Sequence, residues 1–175
     1  MQEIKMFGYH ATKKESAASI LEKGFVLKRR ENHWLGQGIY FFENKVDAET
    51  WAKGTYYIKG DSCIIKCMIE ARESEYLNLD SPENVEALTE YTENVKAVLS
   101  KKGISHVFDN EHVHLCWALD LFKADKGIKV IKRTFENQRT RKINGYKYNK
   151  SLGLKYYEVQ ICTTGNDSIV DKKIC

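Results

Sequence analysis

Three stretches far apart in the chain carry side chains able to do chemistry: Tyr9-His10-Ala11-Thr12, Gly36-Gln37-Gly38-Ile39-Tyr40-Phe41, and Tyr157-Glu158-Val159-Gln160. A Gly-x-Gly before an apolar run allows either a tight turn or the close approach of a ligand to the backbone. A histidine at a strand end is ordinarily a structural hydrogen-bonder and a glutamate on a strand is ordinarily solvated, so in isolation each has an ordinary structural explanation. Tyr40, Phe41, Phe42 and Trp51 equally suit a plain hydrophobic core. A fourth stretch, His112-Val113-His114-Leu115-Cys116, has the residue types of a metal site. On a helix, however, residues two apart face away from one another, so His114 cannot join His112 and Cys116, and no metal is expected.

The elements that must position these groups follow from hydrophobic period and punctuation. Residues Ile4 to His10 read as a strand, and Thr12-Lys13-Lys14-Glu15 has capping-box spacing before a helix over 13–23 that Gly24 stops. Phe25 and Val26 are expected to pack back. Ile39 to Phe42 has strand character, Asn44 to Gly54 reads as a helix, and the alternation over 63–71 predicts a strand buried chiefly on one face. Ser81-Pro82 opens the longest helix, which runs to Gly103, and His112 to Phe122 predicts a buried helix. Strands follow at Ile128 to Arg133, Lys155 to Cys162 and Ile169 to Ile174, while 134–153 lacks a steady period and reads as a surface loop or a segment that orders on binding. His33 and His106 have turn or surface roles in this reading.

The order and spacing of the three stretches resemble the H-Y-E branch of ADP-ribosyltransferases, the group that contains diphtheria toxin and the poly(ADP-ribose) polymerases. The matching motifs are His10-Ala11-Thr12, Ile20-Leu21-Glu22-Lys23-Gly24-Phe25, Gly36-Gln37-Gly38-Ile39-Tyr40-Phe41 and Glu158. The resemblance implies an α+β domain over 1–175, with two small, mostly antiparallel sheets flanked by helices and forming a central NAD cleft. It implies that His10 bonds the adenosine ribose, Thr12 assists there, the Ala11 backbone holds the nicotinamide carboxamide, and Gly38 lines the site. Tyr40 would stack on the nicotinamide, and Trp51, eleven residues on, would close its other face. Glu158 would stabilise the ribosyl cation that exists mainly in the transition state, with Gln160 on the same strand face orienting ribose or acceptor. Ala11 departs from the family's usual glycine, and Ala48 stands where polymerases place a serine.

Composition sets the outer bounds. The chain has 175 residues, 42% hydrophobic and 30% charged, enough for one well-cored domain. No apolar run suggests a membrane span or a secretory signal, so a cytoplasmic protein without membrane association is expected. Five cysteines at wide spacing argue against a disulfide scaffold; Cys63 and Cys67 on one strand would lie ~13 Å apart. The net charge of +4 hides a segregation: Lys123 to Lys155 holds eleven basic and two acidic residues, a surplus of nine, and the remainder is negative by five. Interleaved with Phe135, Tyr146 and Tyr148, this tract suits single-stranded nucleic acid, with Arg139, Arg141, Lys142 and Tyr146 as acceptor-binding residues; a solvated charged loop is the alternative. The expectation is mono-ADP-ribosyl transfer from NAD to a macromolecular acceptor, RNA or DNA among them, by a toxin or defence effector that an acidic antitoxin protein would mask. The competing expectations are a silent module that binds NAD, ADP-ribose or nucleic acid, and an NAD glycohydrolase.

Overall fold

A computed structural model of the chain describes residues 3–29, 33–55, 58, 60–105, 107–136, 142–143, 146–147 and 157–175. The described strands are β1 (Glu3–Lys13), β2 (Ile39–Phe42), β3 (Ser62–Arg72), β4 (Tyr76–Asn78), β5 (Val130–Glu136), β6 (Lys142–Ile143), β7 (Tyr146–Lys147), β8 (Tyr157–Thr163) and β9 (Ile169–Ile174). The described helices are α1 (Lys14–Lys23), α2 (Lys45–Gly54), α3 (Pro82–Lys101) and α4 (Glu111–Lys126), with a 3-10 turn at Glu73–Glu75. Helices and a largely antiparallel sheet make an α+β fold, as expected from the sequence.

The expected pair of small sheets is replaced by one seven-stranded sheet, ordered β4-β5-β8-β2-β1-β3-β9, with the β6-β7 hairpin as a second, two-stranded sheet. The reason lies at the join between β2 and β1. Their ladder is a single pair, Tyr9 opposite Phe42, whereas β1 and β3 pair over the whole length from Glu3/Arg72 to Lys13/Ser62. The two halves are therefore hinged at one rung, and past it His10–Lys13 and Ile39–Phe41 run without ladder pairing to each other.

Strand alternation sends successive side chains to opposite faces, and the core divides accordingly. One face carries Phe25, Ile39, Phe41, Ile65, Cys67, Ile69, Val130 and Ile161 in a single cluster closed by Ala17, Ile20 and Leu21 of α1. The other face carries two separate clusters. Ala11, Ile64, Ala48 and Ala52 form one beneath α2, while Leu35, Leu77, Ile131 and Cys162 form the other beneath Leu88 of α3 and Leu119 and Phe122 of α4.

Several local expectations are corrected. β1 continues through Lys13, so Thr12 remains in a strand and makes no capping box; Lys13 is the N-cap of α1 and makes no side-chain cap bond. Asn44 and Ser81 also occupy N-caps without capping through their side chains, whereas Asn110, not singled out in the sequence, caps α4 by accepting from the Val113 amide at Oδ1 at 3.0 Å. Phe25 is buried, but Val26 is exposed. Strand β5 extends through Glu136 into the segment expected to lack structure. All five cysteines are free thiols, Cys67 fully buried and Cys63 partly so.

Candidate functional site

His10 lies at the point where β1 and β2 part. Its Nδ1 is 2.8 Å from the Tyr40 carbonyl oxygen. A carbonyl can only accept, so Nδ1 carries the proton and the tautomer is fixed by this contact. The imidazole thus bridges the two strands where their ladder has ended. Its ring packs edge-on against Phe25 at 4.9 Å and Phe41 at 5.8 Å, on the α1 side of the sheet. Thr12, two residues on, shares that side.

Ala11, Tyr40, Phe42, Glu158 and Gln160 belong to the opposite face. The register proves it: Tyr40 pairs with Cys162 and Phe42 with Gln160 across β2 and β8, and Glu158 is two residues before Gln160. Tyr40 packs with the cluster under α4 and Phe42 with the cluster under α2, so the seam between the clusters crosses β2 between these two residues. Ala11 and Ala48, the two positions that depart from the family's pattern, pack in the same cluster, against which Phe42 packs. Glu158 is only 7% exposed and its Oε1 accepts a 2.8 Å hydrogen bond from Gln160 Nε2. Gln160 therefore holds the carboxylate in place.

The aromatic arrangement differs from expectation. Tyr40 does not stand free as one wall of a sandwich: its ring stacks on His33 at 5.3 Å, and its hydroxyl accepts from the Leu35 amide at 2.7 Å and donates to the Gly36 carbonyl at 2.6 Å. Burial pushes the phenol well above its ordinary pKa, so it stays a neutral hydrogen-bonding group. Trp51, 38% exposed on α2, has Phe42 as its ring neighbour at 6.4 Å. His33, expected in a turn or surface role, is 6% exposed and stacks on Tyr40. Gly38 is required by the protein itself: a Cβ there would meet the Thr163 carbonyl oxygen at 2.6 Å and the Cys162 sulfur.

The loop that holds Tyr40 is itself held by α4. Lys123, 6% exposed, places Nζ 2.7 Å from Asp120 Oδ1 and donates to the Gln37 carbonyl at 2.7 Å and the Leu35 carbonyl at 3.4 Å. The same Asp120 oxygen accepts from the Gln37 amide at 2.7 Å, and Cys116 Sγ donates to the His33 carbonyl at 2.7 Å. A left-handed Gly36 (φ +74°) lets the backbone pass directly over Asp120. Sequence reasoning missed Asp120 and Lys123. Their signal was a complementary pair three residues apart on a helix otherwise read as apolar.

The remaining expectations divide. His112 and Cys116 approach to 3.9 Å across one helical turn, while His114 turns away and stacks on Phe108 at 4.3 Å, as helix geometry requires. Among the described residues no three ligating side chains converge. In the basic tract, Lys123, Lys126, Lys129 and Lys132 pair with Asp120, Asp125, Glu75 and Glu43. Its charge surplus therefore begins at Arg133. Arg139, Arg141 and His106 lie outside the described residues; Lys142 and Tyr146 occupy the β6-β7 hairpin, where Lys142 pairs with Lys147 and Ile143 with Tyr146. No described helix is long and apolar enough to cross a membrane.

No family model matches the chain. It is similar to an uncharacterized protein of Methanocaldococcus jannaschii, 28% identical over 190 aligned positions that cover 98% of this chain and 87% of that protein. The likeness extends over all the elements described above and carries no assigned activity.

Proposed function

We propose that the chain is a mono-ADP-ribosyltransferase that uses NAD, with a role as a toxin or defence effector. The observation that supports this most is the join at β1 and β2, where His10 bridges to the Tyr40 carbonyl at 2.8 Å while Ala11, Tyr40 and Glu158 share the opposite face. A dinucleotide at this join would have its reacting ribose on the face of Ala11, Tyr40 and Glu158, with His10 and Thr12 reached past the strand edges where the β1-β2 ladder has ended. NAD supplies the reacting glycosidic bond. His10, its Nδ1–H committed to Tyr40, would present Nε2 toward a ribose hydroxyl. Glu158, largely withdrawn from water and steadied by Gln160, would act on positive charge at the ribose carbon, where a low local dielectric would strengthen the interaction.

In the step itself the bond from ribose C1′ to the nicotinamide nitrogen breaks, and nicotinamide leaves neutral with the electron pair. The acceptor nucleophile then attacks C1′ and loses its proton. Carboxylate stabilisation acts mainly in the transition state, so its removal should lower turnover far more than NAD affinity. The test is nicotinamide release from NAD by the wild type and by Glu158→Gln, which preserves size and the hydrogen-bonding oxygen. A drop of at least ~100-fold at unchanged melting temperature is expected from the size of such electrostatic effects. Equal rates in the two proteins would remove Glu158 from the chemistry, and wild-type silence with RNA, DNA and protein acceptors would overturn the transferase reading in favour of a binding module.

A further inference from the structure

We infer that Trp34, His112, Arg133 and Phe135 form a stacking platform for an unpaired base of single-stranded nucleic acid, beside Glu158. The inference rests on the transferase reading only in naming that strand as the acceptor. Three elements supply these residues: the loop before β2, the first turn of α4, and β5. The Trp34 ring lies 4.8 Å from His112 and 5.8 Å from Phe135, and the Arg133 guanidinium sits over the Phe135 ring at 4.9 Å.

Trp34 is 54% exposed although both of its neighbours are fixed in the core. His33 is buried under Tyr40, with its carbonyl held by Cys116, and Leu35 is completely buried with its amide bonded to the Tyr40 hydroxyl. A large ring on so constrained a backbone is displayed to solvent at little further entropic cost, which is what a stacking surface needs. Its position is also set relative to the proposed chemistry. Across the β5-β8 ladder Phe135 stands directly opposite Glu158 and Arg133 opposite Gln160, where facing side chains lie about 5 Å apart at Cβ.

The electrostatics select the ligand. Lysines 123, 126, 129 and 132 are all engaged with carboxylates, but Arg133 forms no ion pair among the described residues, and from Arg133 to Lys155 the sequence holds seven basic residues against one acidic. Asp109 and Glu111 flank the start of α4 just before His112, so phosphates of a bound strand would lie toward Arg133 and away from these carboxylates. Exposed aromatic faces with an adjoining arginine suit an anionic polymer whose bases are unstacked; a duplex hides those faces.

Fluorescence anisotropy with labelled twelve-nucleotide single strands of RNA and DNA, without NAD, tests this directly. Trp34→Ala should weaken binding by about 5- to 150-fold, the range of one base–aromatic stack, and Trp34→Phe should restore most of it. Arg133→Gln should weaken binding and reduce its dependence on salt. The matching duplex should compete poorly. Unchanged affinity in a folded Trp34→Ala, equal competition by duplex, or preference for an acidic peptide over the oligonucleotides would each overturn the platform. Because NAD is absent, failure here leaves nicotinamide release intact, and loss of nicotinamide release leaves this binding intact.

Discussion

Lys123→Met removes a buried cation while keeping most of the side chain's length, and it tests whether α4 holds the Tyr40 loop. Three contacts disappear: the 2.7 Å pair with Asp120 and the hydrogen bonds to the Gln37 and Leu35 carbonyls. Breaking a fully buried pair by removing one partner costs ~3–5 kcal/mol. Here the Asp120 side chain is 37% exposed, so water compensates part of its loss and about 2–3 kcal/mol is the reasonable figure. For a chain of this size that corresponds to a melting temperature lower by about 4–12 °C. Thermal unfolding followed by circular dichroism reads it, with Lys126→Met as the control, since its partner Asp125 and Lys126 itself are about half exposed and the pair should contribute under ~1 kcal/mol. Asp120→Asn should be destabilising too, and the double variant should lose less than the sum of the single losses, because both act through Gln37. Additive effects, or a Lys123→Met melting temperature within about 2 °C of wild type, would show that the loop is held by apolar packing alone.

Two further outcomes follow from the geometry. Gly38→Ala forces a methyl group against the Thr163 carbonyl and the Cys162 sulfur, so stability should fall by ~1–3 kcal/mol as β2 shifts from β8; denaturant titration checks it, and a neutral substitution would mean that the strands separate freely. Glu75 is held below the ordinary carboxylate range by its hydrogen bond to Lys129 and the Arg72 amide. A depressed folded pKa contributes stability above the unfolded value and loses it as pH falls through the folded one. Wild type should therefore exceed Glu75→Gln in stability near neutrality and converge with it in acid, whereas a constant difference across pH would deny the ion pair a role.

Local pattern determined the helices and most strands of this chain. Gly24, Pro82 and Gly103 punctuate α1 and α3 where expected, and the alternation over 63–71 gives a strand of nearly that extent, because helix and strand periods are imposed by backbone geometry alone. The candidate site was legible as residue types: His10, Tyr40 and Glu158 do lie on adjacent or nearly adjacent strands. Tertiary structure decided how their side chains are distributed. A single ladder pair, Tyr9 to Phe42, joins what the sequence suggested were two sheets, and parity about that pair sends His10 to one face and Tyr40 and Glu158 to the other. Register cannot be read from one strand, since it depends on the partner strand's pattern and on where pairing stops. The same holds for Lys123, a surface charge by composition and a buried clamp by packing. Its cost of burial is offset by Asp120, one helical turn away, and by two carbonyls from more than eighty residues away in the chain.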